Sequence, residues 1–408
     1  MSDSILIVGA GIGGLAAGLA LARRGLASQI VERAPEILEV GAGLQLGPNA
    51  FAIFSRLGIA EQMDRISFKP DAILLIDSLS GEELSRQTLG EPFEHHFGQP
   101  YRVAHRADVQ RVLLDGVLGY PELVTFRFGD PVASVVQDEL SASIVLESGE
   151  RLSGPVVVGA DGIWSTVRQE IMGQQPPTDW GHVAFRALVP VTDLAPHLPS
   201  NDVRLWIGPN HHVVAYKVRN GELFNVVAII HDRTDLRGWD FEADASLLRA
   251  AVRDSCNDVR ELIGAIENWR MWPLYDRDPQ SGWSRGRATL LGDAAHPMLP
   301  YLAQGASMAI EDADCLADEI AQFSGDLPAA LISYEHRRFD RTSSVQNAAR
   351  ETGRVNHVDG EARKARNESL KRRKANDYEA IAWLFDGNGA RPINRAPEIG
   401  IFGQYEEK

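Results

Sequence analysis

The chain has 408 residues, 44% of them hydrophobic and 24% charged, with a formal net charge of -15. That length holds two domains with sizeable cores and a tail, and the acidic balance argues against nucleic-acid binding over a broad surface. Cys256 and Cys315 are the only cysteines, which argues against a disulfide framework or a thiolate metal cluster and fits a cytoplasmic setting.

The N-terminal stretch from Ser4 to Arg33 reads as strand, tight turn, helix, strand. Ile5 to Val8 is apolar and rich in β-branched residues, and Gly9, Gly11 and Gly14 follow at the spacing G-x-G-x-x-G. The first glycine permits the turn, the second lets a pyrophosphate approach the backbone, and the third lets helix and strand pack closely. Leu15, Leu19 and Ala22 give the helix an apolar face, Gly25 ends it, and Gln29 to Val31 form the next strand with Glu32 at its tip. A carboxylate there grips both hydroxyls of an adenosine ribose, so the stretch is expected to bind an adenine dinucleotide. Ile5 to Ala22 carries no charge and is just long enough to count as a membrane-span candidate. Its five glycines and the lack of a basic region before it argue against both a span and a signal peptide.

Further on, Gly41, Gly43 and Gly47 bracket a short alternating run, and Asn49 is expected to cap a helix with Phe51, Ile53, Phe54 and Leu57 on its apolar side. Ala72 to Ile76 and Glu83 to Thr88 read as paired strands that begin an antiparallel sheet. From Tyr101 to Leu118 a strand end leads into a helix, with Arg106 at the junction, able to reach a phosphate or to pair with Asp108. Strand-like runs at 124–128, 132–137 and 143–147 return the chain to the nucleotide domain. Val156 to Val158 are apolar as a central parallel strand should be, and Gly159-Ala160-Asp161-Gly162 turns into a helix. Asp161 then sits where doubly wound sheets bind ligands, a place compatible with helix capping.

Between His182 and Ile230 the pattern becomes period-two in four runs, which predicts an inserted antiparallel sheet that walls a second pocket. In the run from His211, alternation puts His212, Val214 and Tyr216 on one face. From Ser284, a buried strand ends at Gly292-Asp293, and a proline-bearing loop leads to Gly305-Ala306, which open another helix. Asp293 can bond a polyol chain, and the helix aims its positive end at whatever the loop encloses, a field that stabilises an isoalloxazine ring turning anionic on reduction. Pro328 to Thr352 reads as a long helix carrying Arg338 and Arg341. The basic run Arg363 to Lys374 reads as a solvated helix face. Tyr378, Ile381, Trp383 and Leu384 form an apolar cluster that docks on its own domain or on a second subunit.

With GAGIGG, GADGIWSTVR and GDAAHPMLPYLAQGA in this order, the chain resembles, over nearly its whole length, the single-component FAD-dependent aromatic hydroxylases of the para-hydroxybenzoate hydroxylase type. The resemblance implies an α/β fold, with a Rossmann-like FAD-binding domain (1–71, 101–178 and 276–352), an inserted antiparallel-sheet substrate domain (72–100 and 179–275) and a C-terminal helical tail (353–408). It implies that Gly9, Gly11, Gly13, Gly14, Glu32 and Arg33 hold the adenosine half of FAD and Arg106 its phosphate region. Asp161 then lies in the motif shared by FAD and the pyridine nucleotide, Asp293 binds the ribityl chain, and Gly305 and Ala306 meet the flavin ring edge. Within that group, VGAGLQLGPNAF, GPNHHVVAYKVRNGE and ARNESLKRRKANDYEAIAWLF look most like 3-hydroxybenzoate 6-hydroxylases, with salicylate and 6-hydroxynicotinate hydroxylases close behind. By resemblance His212 falls on the histidine near the substrate phenol and Tyr216 on a neighbouring pocket tyrosine. Pro300 stands where 3-hydroxybenzoate 6-hydroxylases carry a substrate-contacting glutamine, proline being the pattern of the wider family.

The implied reaction has NADH or NADPH reduce bound FAD, and O2 then form a C4a-hydroperoxyflavin that hydroxylates an aromatic acid. Phenolate reacts better than phenol, so imidazole at His212 is the expected base. Leu299, Tyr301 and Leu302 are expected to exclude water. The residue that anchors a substrate carboxylate stays open, with Arg186 and Arg204 in the inserted sheet as the visible arginines. Decarboxylative hydroxylation of salicylate or 6-hydroxynicotinate, and hydroxylation of a ring such as urate, are the alternatives. No metal, nucleic acid or membrane span is expected, and a homodimer is.

Overall fold

The structure is a computed structural model that describes residues 4–37, 41–232, 241–323 and 325–386; Val40 of the VGAGLQLGPNAF stretch and residues 387–408 of the tail lie outside them. A parallel sheet of five strands organises one half, in the order Ala288–Leu290, Val157–Gly159, Ile5–Val8, Ser28–Glu32, Val124–Phe128. Its central strand Ile5–Val8 is buried throughout, as a strand covered on both faces must be. The first helix, Ile12–Ala22, is apolar nearly all round and packs against the helices Gly305–Gln322 and Arg106–Leu118. A Cβ on Gly14 would stand 2.0 Å from the carbonyl oxygen of Gly9, so glycine is what brings this helix onto its strand. A three-stranded antiparallel sheet, Val132–Gln137, Ala142–Leu146 and Arg151–Gly154, lies beside this layer.

The other half is an eight-stranded sheet in the order Phe241–Glu242, Arg270–Asp276, Thr178–Pro190, Leu223–His231, His211–Val218, Val203–Gly208, Ala72–Asp77, Glu83–Thr88. The period-two runs form these strands, and one face, through Val183, Phe185, Val213, Ala215, Val226 and Ala228, buries the helices Ala245–Ala251 and Asn257–Gly264. The opposite face carries His212, Val214 and Tyr216 with Ala184, Val227 and Ile229, toward Leu299 and Tyr301. One pairing differs from the expected antiparallel order. Val203–Gly208 and Ala72–Asp77 run parallel, which the long connection between them allows and a hairpin would not.

The helix Leu327–Asn356 spans 30 residues, about 45 Å at the usual rise. It approaches the turn Pro300–Leu302 so closely that a Cβ on Gly353 would lie 2.5 Å from the ring of Tyr301. Two further helices follow, Gly360–Lys371 and Glu379–Phe385, and both dock on their own chain. Asp77 accepts from Arg363 at 2.6 and 2.8 Å and from Asn367 at 2.7 Å, while Tyr378, Ile381, Leu384 and Phe385 join Phe93 and Tyr101 in one apolar cluster. The basic run is therefore a solvated face only in part: Lys364, Lys371, Arg372 and Lys374 are exposed, whereas Arg366 is buried and Arg363 is held by a buried carboxylate. The helix Pro48–Leu57 is capped by Gly47 with Pro48 in its first turn, not by Asn49. The buried Asn49 amide instead donates to Gln304 and Glu311 at 3.0 and 2.8 Å; its partners lie more than 250 residues away in sequence, beyond any local capping signal.

Candidate functional site

Three glycine-linked turns meet at the carboxyl ends of the parallel strands and frame an open cleft. Gly9 adopts φ +105°, in the region glycine favours. A Cβ on Gly11 would meet nothing within 4 Å, so the first helix presents its amides, with no side-chain cap, to free space. Glu32 is fixed at its strand tip by the amides of Ala10 and Ala34 at 2.7 and 2.9 Å; Arg33 is exposed.

Ser165 caps the helix Thr166–Met172, and Asp161 supports that cap by accepting from the Ser165 hydroxyl at 2.5 Å and the Thr166 amide at 2.8 Å, with burial pushing its carboxyl up. Arg168 of that helix donates to the carbonyls of Ala294 and Ala295 at 3.0 and 2.9 Å, which locks the second motif to the third.

Arg106 opens its helix at the cleft, and Asp293 acts on it from across the chain. Burial lowers the Arg106 guanidinium and the Asp293 carboxylate opposes the shift. Asp293 itself is reached by solvent but ringed by protein, and that loss of hydration raises its carboxyl. A Cβ on Gly305 would lie 4.0 Å from Asp293 Oδ1, so the carboxylate and the start of the helix Gly305–Gln322, with Ala306 in its first turn, face one spot. Asp108 does not pair with Arg106; it accepts both arms of Arg219 at 2.9 Å. Arg186 lies over the Trp272 ring at 4.7 Å, with a buried Nε that has no hydrogen-bond partner among the described residues.

On the far side of the loop Pro300–Gln304 lies a cavity of about 150 Å³. Ile73, Leu75, Val203, Leu205, His212 and Val214 form its sheet wall, and Pro300, Tyr301 and Leu302 form a second wall. The tail closes it with Ile381, Leu384 and Phe385, and its lining cations among the described residues are Arg373 and Lys374, with Asp377 beside them. Burial pushes Arg373 down to about 10, against the attraction of Asp377, so it stays charged at neutral pH. Leu299 is buried behind the loop and does not line the cavity.

His212 is the ionisable imidazole in that lining. Its Nδ1 meets His357 Nε2 at 2.7 Å, and His357 Nδ1 meets His231 Nε2 at 2.8 Å. Beside this chain His182 stacks on His231 with centroids 4.1 Å apart and bonds the Tyr301 hydroxyl at 2.5 Å. Burial first, and then the neighbouring imidazoles, push His212 down to about 3, so it is neutral near pH 7.

Residues 3–349 match the FAD binding domain family. Over 394 residues the chain is 39% identical to a protein named 3-hydroxybenzoate 6-hydroxylase from Polaromonas naphthalenivorans, covering 95% of this chain and 98% of that one. The chain belongs to the FAD-dependent aromatic hydroxylases. This hydroxylase is also 35% identical over 350 residues to 6-hydroxynicotinate 3-monooxygenase of Bordetella bronchiseptica, with 85% and 90% of the two chains covered. The crystal structure of Klebsiella pneumoniae HpxO complexed with FAD and uric acid superposes on it with a TM-score of 0.81 at 27% identity, covering 94% and 95% of the chains.

The cleft fits FAD: bare helix amides at Gly11, a fixed carboxylate at Glu32, a half-buried cation at Arg106 and a water-reached carboxylate at Asp293 supply donors and acceptors for pyrophosphate, ribose and ribityl groups. Of the pocket residues named from sequence, the hydroxylase brings His212 and Pro300 to one cavity. Tyr216 is buried one step along the strand, outside that lining, with its hydroxyl beside Gly43 and Gln45. Arg186 and Arg204 do not line the cavity either. Reading the sequence missed Arg373, Lys374, His231 and His357. No periodicity marks them, because a helix end, a strand end and a tail bring them together.

Proposed function

We propose that the protein hydroxylates a hydroxylated aromatic carboxylic acid, 3-hydroxybenzoate para to its hydroxyl or a close analogue, with NADH or NADPH as transient electron donor and O2 as co-substrate. One observation carries the reading: a partly open, mostly apolar cavity of about 150 Å³ holds, among the described residues, a single imidazole on one wall and two cations with one carboxylate on its cover. When bound, FAD accepts the hydride and activates oxygen for transfer to the ring. His212 takes the phenol proton at Nε2, the nitrogen left by the contact of Nδ1 with His357. Arg373 holds the carboxylate, Tyr301, Leu302 and Leu384 keep water out, Pro300 shapes the pocket wall, and Tyr216 supports it from outside the lining.

We assign FAD contacts to Gly9, Gly11, Gly13, Gly14, Glu32, Arg33, Arg106, Asp161, Asp293, Gly305 and Ala306, within FAD-binding segments 1–71, 101–178 and 276–352. A homodimer in the cytoplasm completes the proposal, and sedimentation tests the subunit number. Pro300 and the likeness to 6-hydroxynicotinate 3-monooxygenase favour decarboxylative hydroxylation as a second reading. A panel of hydroxylated aromatic acids tests both, with NADH oxidation, oxygen uptake, peroxide and released CO2 measured together. We expect 3-hydroxybenzoate to stimulate NADH oxidation with little peroxide and no CO2. Stimulation by neutral rings alone overturns the assignment.

A further inference from the structure

A buried base must dispose of the proton it takes. His212 is 3% exposed and burial disfavours a charged imidazole there, so an imidazolium at this position is costly. The structure offers an exit. His357, buried at the end of the helix Leu327–Asn356, touches His212 with one ring nitrogen and His231 with the other, at 2.7 and 2.8 Å. His231 ends its strand and is exposed to solvent. Each contact is of hydrogen-bond length, so one unbroken chain runs from the cavity wall to water.

We propose that His357 and His231 relay the substrate's phenol proton from His212 to solvent. The proposal rests on the functional reading above. In the working tautomer His212 donates from Nδ1 to His357, and His357 donates from Nδ1 to His231. As the phenol O–H bond breaks, its proton forms a bond to His212 Nε2; the Nδ1 proton of His212 passes to His357 Nε2, that on His357 Nδ1 passes to His231 Nε2, and His231 releases its Nδ1 proton to water. One proton leaves the phenol and one reaches bulk solvent, so every imidazole ends neutral and the phenolate is the one charge left in the cavity. Reverse transfer, when the product oxygen is reprotonated, restores the starting tautomers. His357 and His231 touch no substrate and act through His212, so they are positioning residues.

The surrounding groups favour passage over storage. His211, bonded to Ser78 and Ser255 on the opposite face of the strand that carries His212, and His182, paired with His231 across the sheet, are imidazoles whose nearness opposes a lasting positive charge on the relay. Asp179 acts only at the His182 end, and the Tyr301 hydroxyl bonds His182, not the relay.

The test is proton release on binding. Oxidised, FAD-loaded enzyme is mixed rapidly with 3-hydroxybenzoate in weakly buffered solution, and an indicator dye and the phenolate absorbance are followed together. We expect His231→Gln to slow release about a hundredfold, the scale of a lost general base, with the dissociation constant from flavin absorbance within a factor of two. Imidazole added to the solution should restore the rate in His231→Gln, which opens the chain at its solvent end, and not in His357→Gln, which cuts it in the interior. Wild-type rates in His231→Gln, or no rescue by imidazole, overturn the relay alone. If the wild-type enzyme releases no proton with any hydroxylated aromatic acid, the functional reading falls and the relay with it. His231 is exposed, so its variant keeps the test valid even if His357→Gln fails to fold.

Discussion

Arg341 and Glu311 meet in the interior through hydrogen bonds of 2.6 and 2.7 Å, and the same guanidinium donates to the carbonyls of Trp383 and Leu384, both at 3.0 Å. The helix Gly305–Gln322, whose start lies beside Asp293, is thereby tied to the tail that covers the cavity. Removing one member of an isolated buried pair costs about 3–5 kcal/mol; the cost is smaller here, because Glu311 keeps Arg338 at 2.7 Å and the Asn49 amide at 2.8 Å. Arg341→Met is expected to lower the melting temperature, to expose the segment 379–386 to hydrogen exchange ahead of the sheet, and to raise peroxide formed per NADH. Unchanged exchange in that segment would show that the latch does not hold the cover.

The glycines of the first turn separate folding from binding. Gly14→Ala sets a methyl against the Gly9 carbonyl and should yield little folded protein. Gly11→Ala meets no protein atom within 4 Å, so it should fold with an unchanged apoprotein melting temperature and purify with little or no flavin. Absorbance near the flavin bands, compared with circular dichroism, checks both. Normal flavin content in Gly11→Ala would remove the pyrophosphate from that position.

Arg373→Ala tests the cover as an anion anchor. Loss of a hydrogen bond to a charged group costs about 1.5–3 kcal/mol, so the Kd for 3-hydroxybenzoate should rise about 10- to 100-fold while that for 3-methylphenol barely changes. Equal weakening of both ligands would assign Arg373 a packing role.

The acid limb of stability follows from His212. Burial holds its folded-state value near 3, below the ordinary histidine value, so the unfolded chain binds a proton that the folded chain refuses. Stability from the neutral ring is complete above about pH 6.5 and falls with decreasing pH, at up to about 1.4 kcal/mol per unit for this residue, down to the folded value. Urea melts at pH 7, 6 and 5 should show His212→Asn losing less stability on acidification than wild type. Parallel losses would mean that His212 is already charged in the folded protein.

Much of the fold was legible because local chemistry and tertiary role agree. Ile5 to Val8 has the apolar continuity of a strand covered on both faces, and the runs at 182–230 alternate as a half-buried sheet requires. The strand–turn–helix geometry around Gly9 to Gly14 and the strand-end place of Glu32 were legible for the same reason: glycine spacing and strand-end carboxylates are short-range signals. What could not be read depends on distant partners. Asn49 looks like a cap until Glu311 is folded beside it, and Arg363 looks solvated until Asp77 meets it. Alternation located His212, but its neighbours His231 and His357 come from other elements and follow no motif.

Gly353 has a consequence for how this enzyme's selectivity can change. The long helix presses on the Tyr301 ring from behind, while that ring's other surroundings include the cavity. Any larger residue at 353 would have to displace that ring, so tolerance for bulkier or smaller rings can be retuned from a position outside the chamber's lining.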